Sequence, residues 1–288
     1  AAITARSEQS GLSETMILSA VALASVRPVI GLTGRSARKA IAMLAALMSD
    51  GVLCEVSVNG DMFSISDLMN APALVRSGAR GWPATLGAFL EAQAEAGRAS
   101  VIELRGANRA PPESLLPELA EPQGPNDSGR EICWKDATGG VHHVSLRTPA
   151  VFALTFAAGK SVFPIQGDLA ACMPMLHTDG PWGDENEPSG KPAIDATAVS
   201  AEVWKTLPGK APLGGLKHST PQALTSQAAE ALGFSAPKAK AIAALAFLTG
   251  RTLSADLHSE VERLSPDLVQ YAAEVLHGAT AQAVGRVF

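Results

Sequence analysis

The sequence has little of several features that announce a function. Its three cysteines, Cys54, Cys133 and Cys172, are far apart and odd in number. That excludes a disulfide framework and supplies no zinc-ligand spacing, and it suits a reducing cytoplasm. Charged residues make up only 18% of the chain, and the net charge is −5. No excess of Lys and Arg is available to follow a phosphate backbone, which argues against nucleic acid as the main partner. The apolar stretch at 16–26, MILSAVALASV, falls short of the roughly 20 residues needed to span a bilayer. Glu8 and Glu14 precede it rather than a basic cluster, which does not fit a signal peptide. An amphipathic or buried helix is expected there, with no membrane partner. Internal repeats and low-complexity segments are also lacking.

What is present is apolar mass. Hydrophobic residues reach 47% of 288 residues, enough for a large core, and the length suggests about two domains. Alanine-rich and leucine-rich stretches favour helix. Residues 13–26 read as a helix capped by Ser13. A strand near 28–31, a loop at 31–38 and a helix at about 36–49 follow, stopped by Asp50-Gly51. The run at 52–60 alternates Cys54, Val56 and Val58 against Leu53, Glu55 and Ser57, as a strand does. A short helical turn is expected at 64–69, a helix at 84–96 and a strong strand at 99–106. Residues 108–121 read as a loop with a short helix and 122–130 as a loop. Residues 131–146 form a hairpin turning at Ala-Thr-Gly-Gly, and 150–159 a buried strand. A helix opens at 167, with a short strand at 173–177. Residues 179–216, rich in Pro, Gly and charge, read as a linker or long loop. Four short helices, at 221–232, 236–249, 254–263 and 265–278, close the chain. The order predicts an α/β domain over 1–197 and a helical domain over 198–288.

Most isolated chemical signals are weak. Gly159-Lys160-Ser161 follows an apolar strand, but Leu154 stands where a phosphate loop needs its first glycine, and Pro164 interrupts the helix that must follow. His142 and His143 are adjacent on a strand and point to opposite faces, which rules out a shared metal. His177, Asp179, His218 and His258 have no metal spacing. Ser161 and Cys172 lack a nucleophile elbow. Asp184, Glu185 and Glu187 read as a solvated acidic loop.

One string is more specific: SVIELRGANRAPPESLLPEL, a strand running into Asn108-Arg109-Ala-Pro-Pro. Together with the strand–loop–helix at 28–49, the SISDLM segment with its glycine-containing sequel at 78–87, the strand at 150–157 and the helical tail, it resembles the AAA+ ATPases, particularly their MoxR-like and dynein-related branch. The resemblance implies a phosphate-loop NTPase-like parallel sheet followed by a helical lid. It also implies assembly with copies of itself or beside an active ATPase.

Set against the family pattern, the hydrolytic positions are altered. The phosphate loop, Gly-x-x-x-x-Gly-Lys-Ser/Thr, wraps phosphates with backbone N–H groups, meets them with lysine and holds magnesium with the hydroxyl. Counted from Gly31, and passing Gly34 and Arg35, this chain places Ser36 at the second glycine, Ala37 at the lysine and Arg38 at the hydroxyl. Arg35, Arg38 or Lys39 could still approach an anion. The Asp-Glu pair of the second strand, the Walker B position, becomes Arg105 and Gly106. Glu103 is acidic but two residues early, on the same sheet face as Arg105 and ~6–7 Å from it along the strand. The sensor position is Ala157, the family arginine near 172–174 is absent, and Lys238 is the nearest counterpart of the lid arginine. Each such loss can cost on the order of a hundredfold to a thousandfold in rate. The resemblance therefore implies a pseudo-ATPase acting as a scaffold or regulatory subunit. No catalytic residue, metal or cofactor is expected. Two alternatives stay open: a divergent NTPase binding ATP or ADP with magnesium through Lys39 or Lys160, and an unrelated α/β binding protein.

Overall fold

A computed structural model of the chain describes residues 12–76, 85–120, 130–146, 150–157, 162–163, 165, 169, 173–178 and 221–252. The loop expected at 122–130 apart from Arg130, the Gly159-Lys160-Ser161 string, Cys172, the stretch 179–216 and the helices expected at 254–263 and 265–278 lie outside the described residues.

The chain opens with α1, Glu14–Val26. Ser13 caps it, its Oγ accepting from the Met16 backbone N–H at 3.2 Å. Every residue from Met16 to Ala24 is buried, so this is a helix enclosed on all sides rather than an amphipathic one. Its polar Ser19 hydroxyl is satisfied by donating to the Thr15 carbonyl at 2.7 Å. Next comes β1, Val29–Thr33, and then α2, Ala37–Met48. Ala37, Ala40, Ile41, Leu44, Ala45 and Met48 give α2 one buried face. Asp50 and Gly51 both take positive φ, 51° and 82°, and stop the helix as their residue types allow.

The following elements are β2, Leu53–Ser57; α3, Ile65–Met69; β3, Ala73–Arg76; α4, Leu86–Glu95; and β4, Ser100–Arg105. A 3-10 turn at Ala107–Arg109 leads to α5, Pro112–Leu115, and α6, Pro117–Ala120. The hairpin is β5, Arg130–Lys135, with β6, Val141–Leu146. Then come β7, Ala150–Leu154; β8, Met175–His177; α7, Pro221–Ala231; and α8, Ala236–Thr252.

Six strands make one sheet in the order β3-β2-β4-β7-β1-β8. Every neighbouring pair is parallel except β2–β3. The interior strands are nearly continuous apolar runs because helices cover both faces. On one face, α1, α2, α7 and α8 share an apolar cluster with Ile30, Leu32, Val101, Val151 and Ala153. On the other, α3 to α6 and the hairpin pack on Cys54, Val56, Ile102, Leu104 and Phe152. The described part of the C-terminal helical region therefore packs into the same core as α1. No described helix is long and apolar enough to cross a membrane.

The structure departs from or adds to the sequence reading at three places. Gly31 lies inside β1, paired with Leu154 on one side and Met175 on the other, so the loop does not begin there. Glu55 is buried, because β2 is an interior strand. The antiparallel edge strand β3 was not foreseen.

Candidate functional site

The carboxyl ends of β1, β7 and β4 lie side by side, the arrangement in which open α/β sheets bind ligands. Between Thr33 and Ala37 the chain has three residues, Gly34, Arg35 and Ser36. Gly34 turns at φ 95°, and the Ala37 N–H donates to its carbonyl at 3.3 Å. A Cβ on Gly31 would stand 2.8 Å from Met175 side-chain atoms and 3.2 Å from Phe156. That glycine serves strand packing, which corrects its assignment to an anion-binding loop. A three-residue connection is too short for the wrap of N–H groups that a phosphate loop supplies. Ser36 sits at the N-cap of α2 without a side-chain cap bond. Arg35 and Lys39 are exposed.

Arg38 turns from the first turn of α2 toward the sheet. Its Nε lies 3.3 Å from Glu103 Oε1, and its Nη2 lies 3.8 Å from Glu55 Oε2. Arg105 Nε meets the same Glu103 oxygen at 3.2 Å, and Arg105 Nη2 pairs with Glu55 Oε2. Arg76 reaches in from β3, with its Nε on Glu55 Oε1 and its Nη2 3.4 Å from Oε2. Parallel register puts Glu55 directly opposite Glu103. Two carboxylates only 4% and 1% exposed are thus held by three guanidiniums at 31–58% exposure.

Burial pushes the Glu103 carboxyl above its ordinary pKa, and the charges of Arg38 and Arg76 oppose that rise. Burial and the neighbouring Arg38 push Arg105 downward. Burial also drives the Cys54 thiol up to about 12, which leaves it unreactive at neutral pH. The network does not fit a magnesium–phosphate centre. Positions 38 and 105, which the resemblance gives to a hydroxyl and an aspartate, carry cations that already hold the nearest carboxylates. Among the described residues, no three His, Cys, Asp or Glu side chains gather as a metal site.

Asn108, a candidate for the interface or the second strand by sequence, is buried and lies in the turn after β4. Its Nδ2 donates to the Ala157 carbonyl at 3.0 Å, and its Oδ1 accepts from the Ala157 N–H at 2.7 Å. It clamps the turn after β4 to the end of β7, the position expected for the sensor. Gly106 precedes it at φ 63°, and a Cβ there would come within 3.0 Å of the Arg109 side chain. Arg109 itself is exposed. Lys238 is buried in α8, its Nζ 5.8 Å from the Phe234 ring centroid.

Sequence reading found Arg38, Glu103 and Arg105 but missed Glu55 and Arg76. A charged residue inside the apolar run LCEV was the available signal for Glu55. Arg76 gave none, since its strand is four residues long. Neither a protein-family model nor a curated protein matches the sequence.

Proposed function

We propose that this chain is an AAA+-related pseudo-ATPase, working as a scaffold or regulatory subunit in an assembly with itself or with an active ATPase. One observation carries the reading. Arg38 and Arg105, which stand at the positions assigned to the magnesium-holding hydroxyl and aspartate, share Glu103 as a common partner. Ionic contacts within the chain thus take the place of a metal and its phosphates. Two further observations support it. The strands assigned to the phosphate loop, the sensor and the NRAPP segment are parallel neighbours in one sheet. Asn108 of NRAPP and Ala157 at the sensor position are hydrogen-bonded. In this reading α7 and α8 begin the lid.

The test is ATP turnover by the purified chain with and without magnesium, alongside sizing of its complexes. Background-level turnover is expected, with assembly unaffected by nucleotide. Robust magnesium-dependent hydrolysis that disappears when residues 34–39 are altered overturns the proposal.

A further inference from the structure

The hairpin β5–β6 is fastened to the helices below it by contacts of different kinds. Asn70 Nδ2 donates to the Lys135 carbonyl at 2.7 Å, and the Lys135 N–H donates to Ser66 Oγ at 3.2 Å. Trp134 lies so close over α4 that a Cβ on Gly87 would fall 2.6 Å from its ring. Its turn is built by Asp136, whose Oδ1 accepts from the N–H groups of Thr138 and Gly140, both at 2.8 Å, and from the Thr138 hydroxyl at 2.7 Å.

Against this frame His142 is held from both sides. Its Nδ1 is 3.2 Å from Glu91 Oε1 on α4, and its Nε2 is 3.0 Å from Asp136 Oδ2 in the turn. A neutral imidazole has one N–H and one lone pair, so one of these carboxylates would face a lone pair. The imidazolium donates to both. The ring also stacks on Trp134, with centroids 5.3 Å apart and planes 17° apart, and an aromatic face favours a cation.

We propose that Glu91, His142 and Asp136 form a proton-operated latch: the protonated imidazole fastens the hairpin to α4, and loss of that proton loosens it. Among the described residues, Glu91 and Asp136 are the charged groups bonded to the ring. Glu95 lies one turn further along α4, and Glu131, Lys135 and His143 occupy the opposite face of the hairpin. Asp67 on α3 is engaged by Phe63 and Ser64. Bonds from Asp136 and Glu91 raise the His142 pKa, and the bond from His142 leads those that lower that of Asp136. The latch is therefore closed from above the ordinary aspartate range, about 3.9, to about 6.5, and opens as pH rises through the raised histidine value.

Amide hydrogen exchange on the full chain, corrected for intrinsic rates, tests this between pH 5.5 and 8.5. Protection of residues 130–146 relative to β4 and β7 should fall roughly two- to fivefold in the wild type, the scale of an exposed ion pair. In His142→Gln it should stay level. An equal fall in that variant, or no fall in the wild type, overturns the latch. Should His142→Gln undock the hairpin at every pH, the NMR titration of His142 in the wild-type chain decides. A midpoint above about 6.5 is required, and one at or below it overturns the proposal.

Discussion

Carboxylates meet a cation on both faces of this molecule, and the two meetings differ in depth and in the cation used. Beside α2, Glu55 and Glu103 are almost wholly buried under Arg38, Arg76 and Arg105. On the hairpin, Glu91 and Asp136 are about a third exposed and share His142. Guanidinium keeps its charge throughout the physiological range, whereas imidazole changes charge near neutrality. Depth sets how much is lost when a partner is removed, and the cation sets whether protons can remove it. The first cluster is a lock and the second a latch.

The comparison breaks most severely at Arg105. Arg105→Ala leaves Glu103 and Glu55 short of a partner, and denaturant unfolding at pH 7 should show a loss of about 3 kcal/mol. That is the low end for a broken buried pair, because Arg105 is partly exposed. The loss should shrink toward pH 4. Glu103 already has a raised carboxyl pKa, so the folded state takes up its proton before the unfolded chain does, and a protonated Glu103 no longer needs Arg105. An undiminished loss at pH 4 contradicts the lock. Gly87→Ala attacks the seat of the latch instead. The added methyl overlaps the Trp134 ring and should cost about 2 kcal/mol, with exchange increasing first in the hairpin. Asn108→Ala sharpens the contrast by removing a buried but uncharged clamp. Calorimetric melting should register about 1–2 kcal/mol from two lost hydrogen bonds, with little dependence on pH.

His142→Gln should have the smallest effect and the most distinctive one. The wild-type advantage from His142 is fully present below about 6.5 and disappears as pH rises through the raised folded value. The contribution from Asp136 is present above about 3.9 and disappears as pH falls through its lowered value. Stability curves of wild type and variant should therefore separate most between these limits and converge above neutrality.

Much of the frame was legible in the sequence because it depends on local signals. Ser13 marked the start of α1, Asp50-Gly51 the end of α2, and the apolar runs at 99–106 and 150–157 marked interior strands. Glu103 and Arg105, two apart on a strand, had to share a face, and they do touch. What was not legible depends on tertiary neighbours. Gly31 reads as a loop residue until Met175 is seen packed against it. Glu55 reads only as one member of an alternating strand until β4 and Arg76 are seen to enclose it. The strand β3 buries only Val75, too little to leave a period. The turn at Asp136 was visible as Gly-rich sequence, but its tie to Glu91 joins residues 51 and 6 apart in sequence to one histidine, beyond any local pattern.

The central claim is that Arg38 and Arg105, locked onto Glu103 and Glu55, occupy the place of a nucleotide's metal and phosphates. Titration calorimetry of the intact chain with ATP, with and without magnesium, tests it most directly. The account predicts no saturable heat under either condition. A saturable, magnesium-dependent binding isotherm that is abolished by substituting Arg38 or Lys39 would contradict it.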